Sequence, residues 1–104
     1  MALDPRNLDG RLISGVNFGL SAAIGEKIFL REGLVEQSNY HDYPPMRMYQ
    51  APPSLTRILE NAPHIRGIGE PGTPCAAPAR ANAVFALTGQ RIRTLPLGHS
   101  IAFA

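Results

Sequence analysis

Glu70 is the residue whose type and setting point most directly to chemistry. It lies between Gly69 and Pro71 in a segment rich in glycine and proline. Glycine lets a backbone approach another group closely, and proline restricts the residue before it to extended conformations. A carboxylate on a stiff loop, near a helix N-terminus that favours its ionised form, is suited to act as a general base. The alternative is a solvated glutamate in a proline-rich turn, which spacing alone favours because positioned carboxylates are the minority.

Other residue types that often carry chemistry are isolated in the sequence. His41, His64 and His99 show no metal-ligand spacing, so we expect ordinary surface or hydrogen-bonded histidines and no metal site. His41 and Asp42 are neighbours, and neighbouring side chains on an extended chain point to opposite faces, which argues against a catalytic pair. Cys75 is the only cysteine, so an internal disulfide is excluded, and we expect a small apolar residue near a helix start.

Length and composition favour one small domain over residues 1–104. With 44% hydrophobic and 17% charged residues, the chain is unlike a disordered tail, and its few charges suggest a surface partly covered by a partner. The net charge of +2 is scattered, which is not the clustered pattern of a nucleic-acid binder. No apolar run is long enough to span a membrane, and residues 1–10 lack a signal peptide's apolar region. We therefore expect a cytoplasmic protein, or a periplasmic one if it assembles with an exported subunit.

A first helix is predicted over residues 5–24, with Asp4 as its N-cap and Gly25 as its end. Five apolar residues recur along one face of it: Leu8, Leu12, Val16, Leu20 and Ile24. Three glycines in the same helix each cost about 1 kcal/mol relative to alanine, which indicates that another backbone packs closely there. These are Gly10, Gly15 and Gly19.

A second helix is predicted over about residues 75–88, capped by Thr73 or Cys75 and ended by Gly89. Its small-residue face, suited to close packing, is expected at Ala79, Ala83 and Ala86 with Val84 and Leu87. Ahead of it, residues 62–78 are rich in glycine and proline and predict a loop, which overlaps the start of the helix.

The strands are predicted between the helices. A hairpin is expected from residues 27–30 and 34–38, joined by a three-residue loop that ends in glycine. Prolines make residues 40–53 irregular, and residues 55–60 are a candidate third strand. The expected fold class is therefore α+β, with two helices packed on a small antiparallel sheet made of the hairpin and the third strand.

Three blocks of sequence, in one order, carry a family resemblance. They cover residues 15–23, 35–48 and 67–97, and the last contains the run Gly67-Ile68-Gly69-Glu70-Pro71-Gly72. Together they resemble the C-terminal part of the molybdenum-binding large (beta) subunit of the xanthine dehydrogenase family. The resemblance is strongest to members like isoquinoline 1-oxidoreductase and aldehyde dehydrogenase, and it covers nearly the whole chain.

The resemblance implies a cofactor, a reaction and roles for particular residues. Family members bind a molybdenum–pterin cytosine dinucleotide and either hydroxylate a carbon beside a ring nitrogen or oxidise an aldehyde. Glu70 matches the glutamate that takes a proton from a metal-bound hydroxyl, and Gly67 and Gly69 are then expected beside the cofactor. Arg11 stands where the first helix of the family commonly carries a glutamine. Its guanidinium would either meet the anionic pyrophosphate or be solvated, and the solvated arginine is the favoured alternative. Arg66 also departs from the family, which usually has a glycine there.

Length limits what the chain does alone. The large subunits of the family are several times longer, and their substrate pockets and electron carriers lie outside the matched part. We therefore expect a fragment or split component that supplies the general base only within a larger assembly, and that binds no cofactor alone. The alternative is a non-catalytic α+β interaction module that self-associates or docks on a larger subunit through its glycine- and alanine-rich helices.

Overall fold

The computed structural model describes residues 2–64 and 66–102 of the chain. It contains α1 (Pro5–Ile24), β1 (Leu30–Arg31), β2 (Leu34–Val35) and α2 (Gly72–Thr88), with 3-10 turns at Met48–Gln50 and Leu97–His99. The two helices pack against each other. Within the described ranges, neither helix is long and apolar enough to cross a membrane.

The bounds predicted for α1 are confirmed. The carboxylate of Asp4 caps its first turn, accepting from the backbone N–H of Asn7 at 3.1 Å and from the Asn7 side-chain amide at 2.6 Å. At the other end the N–H of Gly25 donates to the carbonyl of Ser21 at 3.2 Å. The five apolar residues spaced by four are all at least half-buried, and Leu20 is fully buried.

Glycines bring the two helix backbones into direct contact. A Cβ added at Gly19 would lie 2.8 Å from the Cβ of Ala76, and it would also strike the carbonyl of Thr73. A Cβ added at Gly72 would lie 3.0 Å from the carbonyl oxygen of Leu12. The close packing predicted from the glycines of α1 is therefore confirmed at position 19. It is wrong at Gly10, where an added Cβ would meet nothing within 4 Å.

α2 begins at Gly72, earlier than predicted, and no side chain caps it. Thr73 was a predicted cap, but its hydroxyl donates instead to the carbonyl of Gly15 at 3.1 Å and so ties α2 to α1. Cys75, the other predicted cap, is exposed. The helix ends at Gly89, as predicted, with φ of 71° in the left-handed region that suits glycine.

The face of α2 that packs is different from the predicted one. Gly72, Ala76 and Val84 are buried, because the contact of Gly72 with α1 sets which side of the helix faces inward. Of the five residues predicted for the packed face, only Val84 is buried. The other four are exposed: Ala79, Ala83, Ala86 and Leu87.

The hydrophobic core is small. Its buried cluster consists of Ala23, Val84, Ile92 and Leu97. The chain after α2 therefore returns to cover the end of α1. The Cα radius of gyration is 16.5 Å, whereas a compact domain of this size has about 13 Å. Much of the chain thus lies away from the core.

The hairpin is shorter than predicted and is not packed by the helices. β1 pairs antiparallel with β2, with Leu30 opposite Val35 and Arg31 opposite Leu34. Two residues, not three, form the turn, and both have positive φ, 50° at Glu32 and 82° at Gly33. All four strand residues are exposed. The predicted packing of the helices on a sheet is therefore wrong, because the two helices bury their faces against each other.

Residues 55–60 do not form the predicted third strand. They have no regular secondary structure, and in the described part of the chain no backbone hydrogen bond joins them to a neighbour. The Thr56 hydroxyl bonds to the carboxylate of Asp9 on α1, whereas Leu55 is 99% exposed and Leu59 is 67% exposed. A strand needs backbone hydrogen bonds to a second strand, and the described ranges show none for these residues.

The stretch over residues 40–53 is largely irregular, as predicted, apart from its 3-10 turn. Two contacts anchor it beside the end of α1. The Tyr43 hydroxyl donates to Glu26 at 2.9 Å, the N–H of Met46 donates to the Ser21 hydroxyl at 2.8 Å, and Ser21 in turn bonds to Glu26. The bond to Glu26 raises the pKa of the Tyr43 phenol above its ordinary value of 10.0.

Candidate functional site

A cleft of about 610 Å³ brings Glu70 and Arg11 to one surface of the molecule. One wall is a face of α1: Asn7, Gly10, Arg11, Ser14, Gly15 and Phe18. The other wall is Gly69, Glu70 and Thr73, at the start of α2. Three of the four predicted site residues therefore meet in this cleft, which we call the Glu70 cleft. Gly67 does not line it.

The contact between the helices fixes where Glu70 lies. The N–H of Thr73 donates to the carbonyl of Glu70 at 3.0 Å, which closes a turn just ahead of α2. The hydroxyl of Thr73 bonds to the carbonyl of Gly15, and Gly72 rests on the backbone of α1. The turn and the seating of Gly72 involve backbone atoms, and the Thr73 hydroxyl adds one side-chain bond, so together these contacts hold Glu70 beside the middle of α1.

The two charged side chains of the cleft are available to a ligand. Glu70 and Arg11 are both exposed. Among residues 2–64 and 66–102, neither side chain makes a hydrogen bond or an ion pair. An anionic group can therefore approach Arg11, and a proton donor can approach Glu70, without first breaking a contact within the chain.

The predicted cofactor glycines have open space around them. A Cβ added at Gly67 or Gly69 would meet nothing within 4 Å. No contact inside the described chain therefore requires glycine at either position.

Sequence reasoning missed Asn7 and Ser14, two polar residues of the α1 wall. Asn7, Arg11, Ser14 and Phe18 are spaced by four, three and four, which places them along one helix face. That spacing was a usable signal, but the apolar face of the same helix was the more obvious pattern. Asn7 and Ser14 add hydrogen-bonding groups next to the Arg11 guanidinium.

His41 and Asp42 correct one sequence prediction. Nε2 of His41 lies 3.8 Å from Oδ2 of Asp42, because the chain turns there and does not run extended. Backbone N–H groups of Ser38 and Asn39 bond to the Asp42 carboxylate and lower its pKa to about 2. The carboxylate therefore holds a turn. In the described ranges, no three His, Cys, Asp or Glu residues come together in a way that could hold a metal ion.

Comparison with known proteins relates nearly the whole chain to one segment of longer enzymes. It is 34% identical over 102 residues to the isoquinoline 1-oxidoreductase subunit beta of Brevundimonas diminuta, which is 98% of this chain and 13% of that protein. It is 30% identical over 95 residues to the membrane-bound aldehyde dehydrogenase [pyrroloquinoline-quinone] of Gluconacetobacter polyoxogenes, which is 91% of this chain and 12% of that protein. The chain is a distant homologue of a short segment of these oxidoreductases. The resemblance found in the sequence is thus confirmed at that level, and the chain matches no model of a known protein family.

Proposed function

We propose that this chain is the part of a molybdenum hydroxylase large subunit that carries the general base, Glu70, and that it acts only in a larger assembly. The observation that carries the proposal is the Glu70 cleft, where an unpaired carboxylate and an unpaired guanidinium share one surface among the described residues. Homology over 12–13% of two oxidoreductases supports it, because the remainder of such an enzyme has to come from elsewhere.

The donors of the cleft fit the anionic part of a molybdenum–pterin cytosine dinucleotide. The Arg11 guanidinium suits phosphate oxygens, and the Asn7 amide and Ser14 hydroxyl add hydrogen bonds. When bound, such a cofactor supplies the redox chemistry. The second relative is named for pyrroloquinoline quinone, which is a different redox group. We favour the molybdenum cofactor because the three matched blocks follow the molybdenum-binding subunits.

Glu70 is proposed to accept a proton at its carboxylate while a substrate carbon is oxidised. The substrate would be a nitrogen heterocycle or an aldehyde, in keeping with the names of the two relatives. In this chain the carboxylate is exposed, so the ionised form is well solvated. We propose that the rest of the subunit covers the cleft and excludes water, which strengthens the carboxylate as a base.

Co-expression with candidate large subunits tests the proposal. The purified complex is analysed for molybdenum and for oxidation of isoquinoline and of an aldehyde. Glu70→Gln should leave the molybdenum content unchanged and lower kcat by at least about 100-fold, the usual contribution of a general base. Glu36→Gln, an exposed glutamate near the hairpin, is the matched control and should keep full activity. Full activity of the Glu70→Gln complex would rule out the general-base role.

A second function, a non-catalytic interaction module, is favoured by the exposed hairpin. Phe29, Leu30, Leu34 and Val35 are between 42% and 74% exposed, which is unusual for apolar residues so close together. In this alternative the chain self-associates or docks on a larger subunit, and the hairpin is a better contact surface than the helices, which already cover each other. A stable complex or oligomer that contains no molybdenum would favour this function over the first.

A further inference from the structure

A second cavity, of about 430 Å³, lies on the other side of Arg11 from Glu70. It is formed between the N-terminal half of α1 and residues of the 57–64 and 66–68 segments. Arg11, Arg57 and Arg66 all line it, although they are far apart in sequence. We call it the arginine cavity. Arg11 and Asn7 line both this cavity and the Glu70 cleft, so the two adjoin.

The arginine cavity is lined by three guanidinium groups and two carboxylates, those of Asp4 and Glu60. Asp4 caps α1 through Asn7, and Glu60 accepts the backbone N–H of Ala2 at 3.0 Å. None of the three arginines forms an ion pair within the described chain. Positive charge therefore exceeds negative charge in the lining, and the guanidinium groups are free to meet a ligand.

The remaining lining is mainly apolar. Leu8 and Leu12 of α1 form one side, and Ile58 and Ile68 form the other. A concave site of this size, mostly apolar with a few charged groups, is typical of sites for small organic molecules. Guanidinium groups pair bidentately with carboxylates and phosphates.

We infer that the arginine cavity binds a small organic anion, in which an apolar body carries a carboxylate or phosphate group. The apolar body lies against the leucine and isoleucine side chains, and the anionic group meets the arginines. This site is separate from the proposed general base, and it can be tested on the chain alone.

Calorimetric titration of the purified chain tests the inference. The probes are phenyl phosphate and benzoate, which share an apolar ring and differ in the anionic group. Inorganic phosphate lacks the ring, and benzyl alcohol lacks the charge. We expect at least one of the ring-bearing anions to bind about tenfold or more tightly than either control, and the preferred anion identifies the group recognised. Binding should weaken as salt is added, because exposed charges are screened.

Substitutions locate the binding in the cavity. Arg57→Gln and Arg66→Gln should each weaken binding by about tenfold or more, because each removes a charged hydrogen-bonding partner. Arg93→Gln, an exposed arginine outside the cavity, is the matched control and should not change it. Circular dichroism of each variant checks that its helix content matches that of the unsubstituted chain. Equal binding of inorganic phosphate, equal loss in the Arg93 variant, or no binding of either ring-bearing anion would overturn the inference.

Discussion

Gly19→Ala should destabilise the fold although alanine is the better helix former. The added Cβ would lie 2.8 Å from the Cβ of Ala76 and would strike the carbonyl of Thr73. Neither obstacle is a flexible side-chain end, so the helices must move apart. Overpacking of this kind costs about 3 kcal/mol at the upper end, and helix propensity returns about 1 kcal/mol. We therefore expect a net loss of about 2 kcal/mol, or roughly 10 °C in the midpoint of thermal unfolding.

Two other glycines of α1 provide matched controls for the same substitution. Gly10→Ala meets nothing within 4 Å and should stabilise the chain by about 1 kcal/mol through helix propensity alone. At Gly15 the nearest atom, Oγ1 of Thr73, would be 3.5 Å from the new Cβ, an ordinary contact, so Gly15→Ala should be neutral or slightly stabilising.

Urea unfolding followed by far-ultraviolet circular dichroism measures all three variants. The expected order of stability is Gly10→Ala, then Gly15→Ala, then the unsubstituted chain, and last Gly19→Ala. If Gly19→Ala were as stable as Gly10→Ala, the helices would not be in backbone contact there. The mechanism proposed for holding Glu70 beside α1 would then be wrong.

Two further predictions concern ionisable groups. Asp42 has a folded pKa of about 2, below the ordinary 3.8. The stabilisation of the turn by its ionised carboxylate is therefore fully present above pH 3.8 and is lost as the pH falls through about 2. Nuclear magnetic resonance titration of its carboxyl carbon follows this, and a midpoint near 3.8 would contradict it. Tyr43 has a raised pKa because its hydroxyl donates to Glu26, so its contribution is complete below pH 10 and lost as the pH rises through the raised value. Glu26→Gln removes the negative charge beside the phenol and should lower the pKa of Tyr43 towards 10.0, and an unchanged midpoint would count against Glu26 as the main cause.

The two charged residues of the Glu70 cleft were chosen by different signals. Glu70 came from a glycine–proline segment and a family resemblance, and Arg11 came from a departure from that family. Neither signal predicted that Glu70 and Arg11 line the same cleft. Their position in one cleft follows from the contact of Gly72 with the backbone of α1. This contact joins residues about 60 positions apart in the sequence, so no local pattern encodes it.

The sequence by itself determined the helices and the relationship to longer oxidoreductases. Helix hydrogen bonds join residues four apart, so the Asp4 cap, the apolar spacing and the ends at Gly25 and Gly89 are readable locally. The tertiary structure alone decided which face of α2 is buried and whether residues 55–60 pair. A strand is completed by hydrogen bonds to a backbone distant in sequence, and within the described ranges residues 55–60 make none. These residues therefore have a β-like sequence pattern without forming a strand.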